Sequence, residues 1–157
     1  MVFKQLSCLS TEAEGRYATP QELQFVREYR QTWELRLSTY NKIKDAETQI
    51  IDSVVQKSHQ KDPKLFYMGS RDVTSLCKRD IQLVLRASAL AMLTDDLERL
   101  RDNLLLWQKT VVKALDHQSY ILIVYKIIPE VVREFLTEEE AELIIPALTL
   151  SLTVLAD

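Results

Sequence analysis

The sequence contains little of what turns and disulfide frameworks require. Among its 157 residues are two glycines, four prolines and two cysteines. Few glycines and prolines leave few positions for tight turns, which argues against an all-β fold. Cys8 and Cys77 lie far apart along the chain, so we expect two reduced thiols rather than a disulfide.

A basic excess and a long apolar run are also missing. The net charge is −3 and basic residues are interspersed with acidic ones, so we expect no nucleic-acid binding. No apolar run approaches the ~20 residues that cross a bilayer, and the N-terminus lacks the apolar core of a signal peptide. The sequence predicts a soluble, cytoplasmic protein with no transmembrane segment.

Motifs for catalysis and metal binding are absent as well. The sequence has no nucleophile–base arrangement, no glycine-rich phosphate loop and no histidine–carboxylate metal pattern. His59 and His117 lie in polar segments, which favours solvated loop histidines over axial haem ligands. We predict a binding protein that is not an enzyme and holds no metal, with a haem-binding globin as the least favoured alternative.

What the sequence does contain is apolar residues at intervals of three and four along nearly its whole length. This spacing places them on one side of an α-helix. An apolar content of 46% in 157 residues is enough for one domain with its own core. Trp33 and Trp107 fit these stripes, so we expect both in the core or at an interface. The sequence predicts an all-α fold and a single domain over residues 1–157.

Capping patterns predict where helices begin. Thr19-Pro20 with Glu22, and Thr137 with Glu140, have the spacing of N-terminal caps. The apolar stripe after Thr19 is longer than an ordinary helix, so we expect a bend between Thr39 and Asp45. Residues 1–40 would then form an N-terminal helical hairpin.

Prolines predict interruptions in the second half of the chain. Pro63 and Gly69 make residues 59–72 an irregular connection, which could cover a pocket, before a helix that begins near Thr74. Pro129 is expected to bend or interrupt one helix, and Pro146 to kink the last one.

The segment Cys77-Lys78-Arg79-Asp80 opens an almost wholly apolar helix. Asp80 follows Cys77 by three positions and shares its side of the helix, whereas Arg79 projects from a neighbouring side. An apolar surface with a few convergent polar groups is typical of a ligand pocket. Taken alone, the cysteine is also consistent with a small buried hydrophobe, and the aspartate with a first-turn acid that favours the helix dipole.

Two motifs resemble the phycobiliprotein family of bilin-binding pigments. The early segment Gly15-Arg16-Tyr17 is similar to the family's glycine-arginine-aromatic segment, and Cys77-x-Arg79-Asp80 is similar to its C-x-R-D attachment motif. The two lie at the family's separation, and the resemblance covers most of the chain. It implies a globin-like helical bundle with an N-terminal two-helix extension.

The resemblance also implies roles for individual residues. Cys77 would attach a linear tetrapyrrole, phycocyanobilin or a related bilin, with Arg79 and the helix N-terminus favouring the thiolate. Asp80 would accept hydrogen bonds from the inner pyrrole N–H groups, and Arg79 would pair with a propionate. Lys78 is the candidate second propionate partner, and Val84 a further bilin-binding residue.

Departures from the family pattern affect the expected function. Where light-harvesting members often carry tyrosine and threonine after the motif, this chain has aliphatic residues, at Leu83, Val84, Ala89 and Leu90. These substitutions point away from an efficient antenna role and resemble the divergent bilin biosynthesis-associated globins. A phycobiliprotein-like pigment and a bilin carrier linked to bilin synthesis both stay open. The alternative from another class is a pigment-free helical interaction or scaffold module.

The resemblance finally implies a partner subunit of the same family, in a homo- or hetero-dimer. The N-terminal residues Leu23, Val26 and Trp33 would be buried against it. Arg86 sits where the family places an arginine that meets an N-terminal acid of the partner, and Glu12 is the candidate acid. An antenna-associated protein of this kind would lie peripherally at thylakoids.

Overall fold

The computed structural model describes residues 2–157 and is helical along most of this length. The helices are α1 (Val2–Glu12), α2 (Gln24–Lys61), α3 (Thr74–Thr94), α4 (Leu97–Leu100), α5 (Leu106–Ala114), α6 (Gln118–Arg133) and α7 (Glu138–Ala156). Two short strands, β1 (Tyr67–Met68) and β2 (Arg71–Asp72), pair antiparallel between α2 and α3. The predicted all-α class is confirmed.

The core lies where α2, α3, α6 and α7 pack against one another. Each of these helices turns an apolar side inward, as the spacing of three and four predicted, and α6 supplies the fully buried Ile127, Ile128 and Val131. Burying one such aliphatic side chain contributes about 1.5–3 kcal/mol. Packing against α2 and α7 therefore fixes one face of α3, and the other face is free to line a site.

Helix α2 is one continuous helix of 38 residues, so the chain is not divided into two helices at the predicted bend between Thr39 and Asp45. The helix contains no glycine or proline. The Thr39 hydroxyl donates to the Leu35 carbonyl at 2.7 Å, so a polar side chain in its middle is satisfied within the helix. Residue 40 lies inside α2, and the expected N-terminal unit of residues 1–40 therefore does not end at a helix boundary.

The two predicted caps form with different results. At Thr137 the reciprocal hydrogen bonds with Glu140 open α7 directly. At Thr19 the backbone N–H donates to the Glu22 carboxylate at 2.7 Å, and the Glu22 N–H donates back to the hydroxyl at 3.3 Å. A turn follows this second cap, and regular helix begins later, at Gln24.

The connection between α2 and α3 has more regular structure than predicted. Helix α2 continues to Lys61, and β1 and β2 turn around Gly69, whose φ of +63° lies in the left-handed region. Helix α3 begins at Thr74, as predicted. Pro129 and Pro146 lie inside α6 and α7, so neither proline ends its helix.

A π-helical turn, Arg101–Leu105, joins α4 to α5 and shifts their register. The Leu106 N–H donates to the Arg101 carbonyl, five residues back instead of four. Leu105, Gln108 and Val112 are the buried positions around and after this turn, one residue later than in an uninterrupted helical repeat that includes Trp107. Trp107 is 62% exposed, so it does not lie in the core.

Membrane insertion would require a long apolar helix. Within residues 2–157, no helix is long and apolar enough to cross a bilayer.

Candidate functional site

A cavity of about 370 Å³ opens between α3, α5 and the start of α6. Helix α3 contributes polar side chains together with Leu83, whereas α5 and α6 contribute mostly apolar ones such as Val111 and Ile121. Ligand pockets occupy about 300–1,000 Å³ and combine apolar walls with a few polar groups. The cavity has the size and composition of a small-molecule site.

The Asp80 carboxylate lies in the wall of this cavity. Within residues 2–157 it has neither a hydrogen-bond donor nor an ion-pair partner. Partial burial raises the pKa of the Asp80 carboxyl, and the positive charges of Arg79 and His117 oppose that rise. Asp80 thus offers solvent-accessible acceptor positions beside the apolar part of the cavity wall, where a donor or a cation can pair with it.

Two arginines of α3 line the same cavity in different states. Arg79 has no hydrogen bond or ion pair among the residues that the structure describes. Arg86 donates to both oxygens of Glu47 in α2, at 2.6 and 2.7 Å, and this bond holds the pKa of the Glu47 carboxyl below its usual value. Arg79 is free to pair with an anionic ligand group, and Arg86 is occupied.

Cys77 is 4% exposed and packs within the hydrophobic core rather than in the cavity wall. Burial raises the pKa of its thiol to about 11, although a hydrogen bond with Tyr120 lowers it in part. The nearby carboxylates of Asp80 and Asp72 raise it further. This direction is opposite to the thiolate stabilisation that the resemblance implied, because burial and the neighbouring carboxylates disfavour the thiolate.

Tyr120 connects the buried thiol to the cavity. Its side chain lines the cavity, and its hydroxyl donates to the Cys77 carbonyl at 3.3 Å. The ring is 4% exposed and packs edge-on against Phe66 and Tyr125. Tyr120 therefore contacts both the cavity and Cys77.

Two other predicted bilin-binding residues lie away from the cavity. The Lys78 ammonium donates to Asp52 of α2 at 2.7 Å, on a different groove of the surface. Val84 is fully buried in the core, and its neighbour Leu83 lines the cavity instead. The helical repeat explains both positions, since residues one step apart project about 100° apart around the axis.

The cavity also contains residues that the sequence analysis did not assign to it. Trp107 and Gln108 come from α5, and His117 and Tyr120 from the start of α6. His117 is half-buried rather than fully solvated, whereas His59 is exposed at the end of α2. Their sequence positions are remote from the motif on α3, so tertiary packing alone brings them together with it. No residue between 59 and 72 lines this cavity.

The residues predicted to contact a partner subunit lie in the N-terminal part of the chain. Glu12 ends α1 and is exposed, Leu23 and Val26 are half-buried at the start of α2, and Trp33 contacts Tyr29 with ring centroids 5.9 Å apart. These positions are compatible with an interface. Contact with a partner stays a prediction, as does the approach of Glu12 to Arg86.

These features define an all-α bundle whose cavity combines apolar walls with an unpaired carboxylate and an unpaired guanidinium among the described residues. The chain matches the phycobilisome protein family over residues 7–153, nearly its full length, and it belongs to that family. A comparison with curated proteins finds no match. The globin-like fold and the family inferred from the two motifs are confirmed, and the family is one of bilin-binding pigment proteins.

The cavity residues fit a linear tetrapyrrole in its non-covalent contacts. Asp80 offers acceptors for pyrrole N–H groups, Arg79 offers a planar donor for a carboxylate, and the walls offer apolar surface for the conjugated system. In the conformation described, the Cys77 sulfur does not meet the cavity. Within residues 2–157, no group of histidine, cysteine and acidic side chains is arranged to hold a metal ion.

Proposed function

We propose that the chain binds a linear tetrapyrrole in the cavity between α3, α5 and α6, oriented by Asp80 and Arg79. The observation that carries this proposal is the unpaired Asp80 carboxylate in an apolar cavity of a phycobilisome-family protein. The carboxylate is solvent-accessible in the cavity wall and has no partner within residues 2–157, so a ligand that enters the cavity can pair with it.

Each side chain has a defined part in this proposal. Asp80 accepts hydrogen bonds from the inner pyrrole N–H groups and stabilises a protonated, cationic ligand. Arg79 pairs with a propionate, and Leu83, Val111 and Ile121 exclude water from the ligand's faces. When bound, the conjugated tetrapyrrole supplies absorption of visible light. These parts are binding and positioning, so we propose a pigment protein or bilin carrier without catalytic activity.

Cys77 is the proposed attachment residue, reached once Tyr120 moves aside. A thiol that adds across a carbon–carbon double bond gives its sulfur to one carbon and its proton to the other, so the addition needs no oxidant. Burial and the raised pKa of Cys77 disfavour this step in the conformation described. We infer that binding in the cavity precedes attachment and does not depend on it.

Co-expression with a bilin-producing pathway tests binding and attachment together. Zinc-dependent fluorescence of the protein band on a denaturing gel reports a covalent bilin, and Cys77→Ala should abolish it. Cys8→Ala is the matched control, because Cys8 is exposed on α1 and lies outside the cavity. Colour in the native protein that leaves it on denaturation would support the cavity and refute attachment, the behaviour expected of a carrier. A colourless protein under bilin saturation would contradict binding altogether.

A pigment-free interaction module is the second candidate function. It is favoured by the inaccessible Cys77 thiol and by large apolar side chains exposed on α3 and α5, namely Leu83, Leu90, Leu106 and Trp107. A colourless protein that associates with a phycobilisome-family subunit in solution would support it. A partner interface through Leu23, Val26, Trp33 and the Glu12–Arg86 pair is compatible with either function, as is a position at the thylakoid antenna.

A further inference from the structure

We infer that Gln108 is a ligand-binding residue of this cavity and accepts a hydrogen bond from an N–H group of the pigment. The inference rests on the proposed function and deepens it. It adds an acceptor on α5 to the one that Asp80 supplies from α3.

The first observation is an unpartnered oxygen in the cavity wall. Gln108 lines the cavity and is 6% exposed. Its Oε1 atom is buried and has no hydrogen-bond partner within residues 2–157. Buried polar side-chain atoms in folded proteins nearly always have a partner. An orphaned carbonyl oxygen in the wall of a cavity is therefore a candidate acceptor for whatever fills that cavity.

The second observation is that the other end of the amide is fixed. Gln108 Nε2 donates to the Tyr125 hydroxyl at 3.1 Å, and Tyr125 is 1% exposed. This bond holds the amide beside the cavity, with Nε2 toward Tyr125 and Oε1 without a partner in the described chain. An acceptor whose orientation is fixed by a supporting hydrogen bond is preorganised for its ligand.

The π-helical turn explains how a glutamine reaches this position. The extra residue in Arg101–Leu105 rotates α5, so that Gln108 takes an inward position between the buried Leu105 and Val112. With ordinary helical spacing the inward position would be that of Trp107. Short π-helical turns inside α-helices often occur at functional sites, where they redirect a side chain.

Asp80 and Gln108 together restrict the class of ligand. Both residues line one cavity, from different helices, and each carries an oxygen acceptor without a partner in the described chain. A ligand that satisfies both must carry separate hydrogen-bond donors along an otherwise apolar body, as the pyrrole and lactam N–H groups of a linear tetrapyrrole do. A fatty acid can pair with Arg79 but leaves both oxygens without a donor, so it should bind more weakly than a ligand that carries donors.

The chain provides a matched control. Gln118 also has a buried Oε1 without a partner in the described part of the chain, but it does not line the cavity. Replacing either glutamine by methionine removes the amide at similar side-chain length. If the Gln108 oxygen belongs to the site, replacing Gln108 should weaken ligand binding and replacing Gln118 should leave it unchanged.

Titration of the purified full chain with biliverdin, followed by visible absorbance, tests the inference. We expect Gln108→Met to weaken binding about tenfold, the effect of one lost buried hydrogen bond. Gln118→Met should bind as the unmodified chain does, and Gln108→Glu, which keeps an acceptor, should recover part of the loss. Equal affinity of Gln108→Met and the unmodified chain would overturn the inference.

A second variant separates binding from packing. Tyr125→Phe removes the bond that orients the Gln108 amide but keeps the amide itself, so it should weaken binding less than Gln108→Met does. Equal losses would assign the effect to the buried pair as a structural element and contradict a ligand contact. If the unmodified chain binds biliverdin and Gln108→Met binds it equally well, the inference alone fails. If the unmodified chain binds no biliverdin, the proposed function fails with it.

Discussion

On the core-facing side of α3, Cys77, Ile81 and Val84 are almost fully buried, whereas on its cavity-facing side Arg79, Asp80 and Leu83 reach solvent. Both sets come from one short stretch of sequence. The core side is dry and determines how α3 packs, and the cavity side keeps charges that nothing else in the described chain pairs. The comparison teaches that neighbouring residues of one motif can have separate physical tasks, one for the fold and one for a ligand.

The largest expected difference between the two faces of α3 is the loss of stability when one side chain on each face is truncated. Ile81→Ala should lower the free energy of unfolding by about 2–5 kcal/mol, because a fully buried side chain leaves a cavity. Leu83→Ala, two positions away and 44% exposed, should change it by about 0.5 kcal/mol or less. Denaturant unfolding curves measure both. Similar losses for the two variants would mean that the faces are not distinct.

Thiol labelling gives the next largest effect. With the pKa of Cys77 raised to about 11 by burial, its thiolate fraction at pH 8 is about one in a thousand, so the native thiol should react at least about a hundredfold more slowly than Cys8. An Ellman titration should show one prompt thiol, absent from Cys8→Ala, and a second only after unfolding. Two thiols that react at equal rates in the native protein would contradict the burial of Cys77. Faster labelling of Cys77 in a Tyr120→Ala variant would identify the side chain that covers it.

The smallest effect is a difference in pH dependence between two carboxylates of this region. Hydrogen bonds from Thr74 lower the pKa of Asp72, so its contribution to stability is present above its unfolded pKa and is lost as the pH falls through the lower folded value. Burial raises the pKa of Asp80, so its contribution is present below its unfolded pKa and is lost as the pH rises through the higher folded value.

Asparagine variants at the two positions should therefore respond with opposite sign. In ligand-free protein at pH 7, Asp72→Asn should be slightly less stable than the unmodified chain, and Asp80→Asn equally or slightly more stable. Both differences should shrink as the pH falls toward 3, and thermal unfolding across this range measures them. The same sign at both positions would show that Asp80 has a partner in the free protein.

Much of the fold could be predicted from local sequence. Helix α3 begins at Thr74 and α7 at the Thr137 cap, because capping residues act on the turn that immediately follows them. The family could be recognised from two short motifs. The continuous α2 could not be predicted from its length, since packing along the core supports a helix longer than local signals suggest.

The candidate site could be predicted only where it is local. Asp80 and Arg79 were identified because the motif contains them, whereas Gln108 and Tyr120 come from helices that tertiary packing brings to α3. The π-helical turn shifts the inward positions of α5 by one residue. An uninterrupted helical repeat therefore predicts Trp107 at an inward position, whereas the structure has Gln108 there. The sequence does show that Gln108 is a polar residue next to Trp107 in the apolar stripe. That observation points to the cavity only when the register shift is known.

Affinity for a linear tetrapyrrole is the property that tests the Asp80 site most directly. Titration of the unmodified chain, Asp80→Asn and Asp52→Asn with biliverdin should show saturable binding to the first, about 10- to 100-fold weaker binding to the second, and unchanged binding to the third. Asp52 is the matched control because it is an exposed carboxylate on α2, paired with Lys78 and outside the cavity. Equal affinities of all three proteins, or no binding to any of them, would contradict a tetrapyrrole site built on Asp80.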